Sequence, residues 1–461
     1  MAIKIALFVV IFTITSAVLA TNIDHSKSSE FKTFGENDHN LVLPPTLPPE
    51  EFDKPIDQPT GDLSLGQAII LTLRSNPELA TFSWAIRSRE IDLIEAGLFP
   101  NPEAQFEVEN FAGSDQLKGF RSAESTITLS QLIELGGKRM KRQQLASKDR
   151  DLARWDYEVK RVDLLSQVTI SFIEVLGNQE RLQITKETNV LAQDIYNTVK
   201  KRVDAGKVSP IEEIKARVEL SKTRLEQIKA ERQLTISRNN LIALWGGTEV
   251  TFTKAVGDFS KINTPPVLNA IVGKLKNNPD LIRWVSEMSR YQSVINLARA
   301  QTVPDVSVSA GIRHLNDLDD FAAVASISVP LFLFNNKQTG VRRSNVELSR
   351  AIKQREVTEL KIRTALMTAH ERLQILFQEA TTLHKEVLPS AEEAFNTTKK
   401  IYRLGKLNLL DLLDAQRTYF EARQQNIDVI KEYHRLVVTI ERLLGTSLFD
   451  DKNYITTEKM K

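Results

Sequence analysis

The chain has 461 residues, of which 41% are hydrophobic, and 61 basic against 59 acidic side chains leave a formal net charge of +2 at pH 7. That length allows two or three ordinary domains, and the balanced charge offers no electrostatic footing for nucleic acid. Cysteine is absent, which excludes disulfides, thiolate metal sites, a Cys nucleophile and a lipid anchor on an N-terminal Cys.

Residues 1–20 have the pattern of a secretory signal: Lys4, an apolar run from Ile5 to Ile14, then Ser16-Ala17-Val18-Leu19-Ala20 with a cut after Ala20. The run is shorter than the ~20 apolar residues of a spanning helix, and no later stretch has that character. Residues 21–62 form a polar, proline-rich extension, with Pro44-Pro45, Pro48-Pro49, Pro55 and Pro59. Such a segment favours extended polyproline geometry, either as a disordered leader or as a strap on the rest of the protein.

From there the chain reads as two copies of one plan. A helix capped by Ser64 is interrupted at Asn76-Pro77, resumes through Leu79, Phe82, Ile86, Ile91 and Ile94, and stops before Pro100-Asn101-Pro102. The later copy is interrupted at Asn278-Pro279 and stops before Pro304; 279 − 77 and 304 − 102 both give 202. The period then changes to two. Ala104, Phe106 and Val108 alternate with acidic and amide side chains, Thr126–Ser130 reads as the return strand, and Val306–Arg313 and Ala325–Pro330 form the second pair. Their connections run from Phe111 to Ser122 and from His314 to Phe321. The alternation fits a half-buried sheet in a soluble domain and equally a strand pair facing lipid. Four strands cannot close a barrel, so strands in a membrane require several chains to share one.

Each hairpin ends in a turn, Gly136-Gly137-Lys138 in the first copy and Asn335-Asn336-Lys337 in the second. Long helices follow, from Lys138 to Val203 and from Lys337 to Leu404, with only Pro389 inside them. About 65 residues at 1.5 Å each reach roughly 100 Å. Both helices end in a Gly-Lys turn, Gly206-Lys207 and Gly405-Lys406, and 405 − 206 gives 199. The returning helices span Ile211 to Trp245 and Leu409 to Leu444. The second carries two apolar seams, Ile427, Ile430, Val437 and Leu444 beside Val429, Tyr433, Leu436, Ile440 and Leu443, as suits a helix with a neighbour on each side. The domains are therefore 1–20, 21–62, a first repeat 63–246 with its hairpin at about 102–133, a linker 247–265, a second repeat 266–445 with its hairpin at about 304–333, and a polar tail 446–461.

No catalytic constellation emerges. The six histidines, at 25, 39, 314, 370, 384 and 434, form no pair at helical ligand spacing, and Gly136–Arg139 lacks the rest of a phosphate loop. Neither an enzyme nor a cofactor is expected. Asp411 and Asp414 share one helical face just past Gly405, where acids compensate the helix dipole; repeated around an axis, they would form a ring that attracts cations and resists anions.

The order of helix, hairpin, long helix, glycine turn and returning helix, from Leu63 to Gly445, resembles the TolC-type outer-membrane efflux proteins. The resemblance implies a mainly α fold with a small transmembrane β part: a homotrimer whose twelve strands form one barrel, standing on an α-helical periplasmic tunnel. It implies a passive duct in the outer membrane of a Gram-negative cell, in contact with outer-membrane lipid and served by a periplasmic adaptor and an inner-membrane resistance-nodulation-division pump. Asp411 and Asp414 fall on the family's paired gate aspartates, Tyr402 matches the tyrosine of the turn, and Glu212 stands where the first copy has an acid, which together suggest an interhelical latch. The arginine expected in the second turn is Leu407 here, with Lys406 one place earlier. Gly206, Lys207, Gly405 and Lys406 match the tips that adaptors engage. Gln131–Arg139 is most similar to the CzcC-like heavy-metal branch, which makes metal cations the expected cargo; drugs or a type I secreted protein are the alternative cargo, and a periplasmic coiled-coil scaffold is the alternative of another class.

Overall fold

A computed structural model describes residues 43–52 and 57–449. The secretory signal, the greater part of the proline-rich extension and residues 450–461 of the tail lie outside the described residues. The described piece of the extension is a strap. Ser83 donates to the Leu47 carbonyl (2.5 Å), the Leu47 N–H donates to the Tyr157 hydroxyl (3.3 Å), and Phe52 packs beside buried Leu79, Ile86 and Tyr157.

Strand β1 (Gly61–Ser64) runs directly into α1 (Leu65–Ser75). The cap is reciprocal: Ser64 Oγ accepts the Gln67 N–H while Gln67 Oε1 accepts the Ser64 N–H, an arrangement that stabilises a helix start by about 1 kcal/mol. Asn76 ends α1 and caps α2 (Pro77–Ala96), accepting the Leu79 N–H at 2.8 Å. Next come β2 (Glu103–Glu109), β3 (Glu124–Ile133), the 67-residue α3 (Lys138–Asp204), α4 (Pro210–Ala243) and β4 (Phe252–Val256). A short α5 (Leu268–Val272) precedes α6 (Pro279–Ala300), β5 (Val306–Leu315), β6 (Asp320–Ser328), α7 (Gln338–Thr382), α8 (Leu388–Arg403) and α9 (Leu409–Leu444).

The Asn-Pro breaks do more than interrupt. Asn76 Nδ2 donates to the Leu244 carbonyl (2.7 Å), and Asn278 Nδ2 donates to the Leu443 carbonyl (2.8 Å). Each asparagine thus caps one helix start with its oxygen and satisfies an orphan carbonyl at the end of a returning helix with its nitrogen.

The four-stranded sheet has the order β2-β3-β5-β6, antiparallel throughout, with β2 and β6 as its edges. In register across it, Phe106, Ile127, Ile312 and Ala323 form one row of an apolar face on which Phe106 and Ile127 are exposed. On the opposite face Arg313 bonds Glu124 (2.6 Å), Thr126 (2.9 Å) and Glu109 (3.2 Å). Among the described residues no helix is long and apolar enough to cross a membrane.

Helices pack in a single layer. Nearest the sheet the order is α2-α3-α6-α7; toward the far end it is α4-α3-α9, with α7 and then α8 beyond α9. Aspartates seven residues apart on α3 lie on one face, and Asp149, Asp156 and Asp163 pair with Arg290, Arg283 and Arg442; the last also reaches Asp280 at 2.8 Å. Helix α9 divides its apolar residues between two neighbours: Phe420, Ile427, Ile430 and Val438 join the core with α3, while Val429, Tyr433, Val437, Ile440 and Leu444 join α7.

Several expectations need correction. The second return strand spans Asp320–Ser328 instead of 325–330, because register with β5 extends to Leu315↔Asp320 and leaves only residues 316–319 to turn. The first return strand is longer than 126–130. Val437 and Leu444 belong to the α7 seam and not to the seam of Ile427 and Ile430. The second long helix is broken by a π-turn at Leu383–Val387, immediately before Pro389, whose missing N–H cannot continue the ladder. The linker holds β4, which pairs in parallel with β1. Beyond β4 the linker is pinned to the helices, with Phe259 O against His434 Nε2 (2.9 Å), Asn263 against the Tyr433 hydroxyl (2.5 and 3.2 Å) and Pro266 O against His370 Nε2 (2.8 Å).

Candidate functional site

The two Gly-Lys turns lie side by side at the end of the helical layer remote from the sheet. Each is a Schellman closure built on a left-handed glycine. Gly206 (φ +67°) donates to Val203 O and Lys207 to Arg202 O; Gly405 (φ +74°) donates to Tyr402 O and Lys406 to Ile401 O. A side chain at either glycine would be strained by the backbone, and a Cβ at 405 would also stand 3.3 Å from Arg202 Nη2. Ser209 then caps α4 and Asn408 caps α9, the latter by accepting the Asp411 N–H at 2.9 Å.

Beneath the turns Ile195, Val199, Ala216, Phe395, Tyr402, Leu409 and Leu412 form one buried cluster contributed by α3, α4, α8 and α9. Arg202 crosses between the turns. Its Nη1 donates to the Tyr402 carbonyl (3.3 Å) and its guanidinium lies 4.9 Å from the centre of the Tyr402 ring. Tyr402 is 2% exposed, yet its hydroxyl has no partner, and Glu212 Oε2 is likewise buried and unpartnered. Burial pushes the Tyr402 hydroxyl above its usual value, with Arg202 opposing and Glu212 adding to the shift. Behind them Tyr196 donates to Glu213 (3.2 Å), which also takes Arg217 (2.8 Å); the arginine holds the Glu213 carboxyl below the usual range.

Tyr402 and Glu212, the residues expected to form a latch, lie near enough for the Glu212 charge to act on the Tyr402 hydroxyl, and the arginine in contact with Tyr402 is Arg202, from the first turn. Sequence reasoning sought it in the second turn, at Leu407. The one available signal was that Arg202 precedes Gly206 just as Ile401 precedes Gly405. Asp411 and Asp414 stand apart from this cluster. Both are exposed, and Asp414 bonds Arg417 at 2.5 Å. Lys207 and Lys406 are exposed at the tips.

At the other end, Gly136 and Gly137 take left-handed conformations, as does Lys337. Lys138 is 6% exposed and meets Asp305 at 2.6 Å, and the same carboxylate accepts the Leu135 N–H at 2.9 Å. Burial works against the Asp305 charge, but Lys138, the Leu135 N–H and Lys337 outweigh it and hold the carboxyl below its ordinary value. Asn335 and Asn336 each accept a backbone N–H two residues on, from Lys337 (3.1 Å) and Gln338 (3.2 Å). Asp305, which ties the exit of the first hairpin to the entry of the second, escaped the sequence reading. Among the described residues no group of three or more His, Asp or Glu is placed to hold a metal ion.

The sequence pattern of the outer membrane efflux protein family matches residues 69–247 and again 271–446. The chain belongs to this family. Among outer membrane efflux proteins, it is 33% identical over 385 residues to the cobalt-zinc-cadmium resistance protein CzcC of Cupriavidus metallidurans, covering 84% of this chain and 90% of that one. Solved structures agree on the fold. A crystal structure of CusC superimposes with a TM-score of 0.70 at 18% identity, over 90% of this chain and 99% of that one, and the Campylobacter jejuni CmeC outer membrane channel does so with a TM-score of 0.69 at 16% identity, over 92% and 96%. The protein is an outer-membrane efflux component, and transport is its work.

Proposed function

We propose that three copies of this outer membrane efflux protein close a twelve-stranded barrel on a helical tunnel and form the exit duct of a tripartite pump. The carrying observation is that every layer ends on the same two flanks: β2, α2 and α4 on one, β6 and α7–α8 on the other. Open strand edges cannot stand in lipid, and a head-to-tail interface that closes makes a ring. Exposed Ile214, Val218, Leu225 and Ile228 on α4 and exposed Val357, Leu360, Met367 and Ile375 on α7 supply apolar surface on the two flanks that would meet.

In this ring the apolar face of the sheet meets lipid and the Arg313 face lines the barrel. The linker side of α9 turns outward. Its other side, where Glu421, Asp428 and Glu432 border an open groove with Arg181, turns toward the lumen and favours cations. The likeness to a cobalt-zinc-cadmium resistance protein supports heavy-metal cations as cargo. Arg202, Tyr402 and Glu212 hold the periplasmic end shut, Asp411 and Asp414 ring its mouth, and Lys207 and Lys406 meet the adaptor that couples the duct to a resistance-nodulation-division pump.

Deleting the gene tests the cargo. Growth should fail at lower cobalt, zinc and cadmium concentrations and recover on complementation. Unchanged tolerance to all three metals would remove the metal reading, while heat-resistant trimers in outer-membrane fractions test the duct independently.

A further inference from the structure

The chain contains, within itself, a pattern for its own contact with a second copy. Along the returning helices a spacing of 199 relates buried Leu234 to Tyr433 and Leu241 to Ile440. Along the long helices the π-turn inserts one residue. Above it Val168 and Val175 correspond to Leu366 and Leu373 at 198, and below it Ala192 corresponds to Ala391 at 199; all six are buried. These two spacings carry any residue of the α3–α9 seam onto α7–α8 and α4.

Inside one chain that seam is held by Arg181–Asp428 at 2.9 Å and Glu187–Arg423 at 2.6 Å, around Ile427. The corresponding residues are Glu379 and Lys229 for the first pair, and Glu386 and Arg224 for the second. In the first pair both signs are reversed together and in the second both are kept, so attraction survives in each. Ile228, the counterpart of Ile427, is 48% exposed where Ile427 is 6% exposed. Arg224 and Glu386 make no ion pair among the described residues, and Lys229 has only a surface pair with Glu226. The third seam pair, Glu174–Lys431, maps onto Arg372 and Arg232 and is not remade; Arg372 instead bonds Glu432 of its own chain at 3.1 Å.

We infer that the α3–α9 seam is remade between copies, with Glu379 and Glu386 of one protomer pairing with Lys229 and Arg224 of the neighbouring copy around Ile228. This rests on the ring reading and specifies its register. Within one chain the two members of each pair sit on opposite flanks of the layer and cannot meet.

Because the chain has no cysteine, paired substitutions give a clean readout. Glu379→Cys with Lys229→Cys, treated with a short bis-maleimide in membranes, should yield covalent dimers and trimers, while either single change should yield neither. Trimers of native size that give no covalent ladder would overturn the register and leave the ring standing. Absence of any trimer would overturn both. A second test reads charge: Glu386→Arg and Arg224→Glu should each raise trimer dissociation in detergent by roughly 2- to 5-fold, and the double change should restore it. Additive losses in the double variant would reject the pair.

Discussion

Arg202 links the two Gly-Lys turns. It reaches from the first Gly-Lys turn to the ring and carbonyl of Tyr402 in the second, and a cation above an aromatic face contributes about 0.5–2 kcal/mol depending on desolvation. Arg202→Gln should therefore raise the single-channel conductance of the protein in planar bilayers. Identical conductance would mean that the contact braces the turns without closing them. Asp411 and Asp414 are placed differently, since they are exposed and, among the described residues, bonded to no other helix. Replacing both by Ala should reduce block by multivalent cations, and unaltered block would leave Asp411 as dipole compensation and Asp414 as a partner of Arg417. The sequence identified Tyr402 and Glu212 as neighbours through the resemblance alone. Arg202 stayed hidden because its partner lies 200 positions away, and no local pattern encodes a contact between two separate turns.

At the scale of elements, most helix ends were written in local chemistry. Ser64 caps where the sequence places it, the breaks expected at Asn76-Pro77 and Asn278-Pro279 are themselves helix caps, and Asn408 adds a further cap after Gly405. The parallel β1–β4 pair was not legible, since strands of four and five residues carry too few alternations to register a period and gain their partners only from the fold. The linker that contains β4 offers a pH test. His434 is 1% exposed, and burial pushes its imidazole below the ordinary 6.5, against the opposing pull of the Phe259 carbonyl and Asp258. A base with a depressed folded value binds its proton more readily when unfolded, so its contribution is intact above pH 6.5 and declines as pH falls below it. Thermal melting followed by helical circular dichroism should drop as the buffer is taken from about pH 7 to 5, and His434→Gln should flatten that dependence. An equal drop in the variant would assign the acid sensitivity to other groups.

For the whole molecule, the proposed partnership with an adaptor rests on the tips. Lys207 and Lys406 project from adjacent turns with no ion pair among the described residues, so changing both to Glu should weaken crosslinking to the cognate adaptor while trimers and conductance persist. Undiminished crosslinking would move the docking surface away from the turns. The general architecture was legible because duplication states it twice, and a motif seen at Asn76-Pro77 and again at Asn278-Pro279 can be trusted beyond its local strength. What duplication concealed is a difference inside the long helices: each was read as one continuous element, and the π-turn at Leu383–Val387 shows where the second departs from the first.

That single inserted residue has a geometric consequence. The wider π-turn absorbs that residue, so Leu366 and Leu373 on its sheet-proximal side and Ala391 below it all keep the buried face that Val168, Val175 and Ala192 occupy on α3. In the proposed ring of three chains, two unlike long helices would alternate, one continuous and one interrupted by a π-turn. Sixfold equivalence would fail only at the level of the π-turn. Twisting such a wall would load the two kinds of long helix unequally at that level.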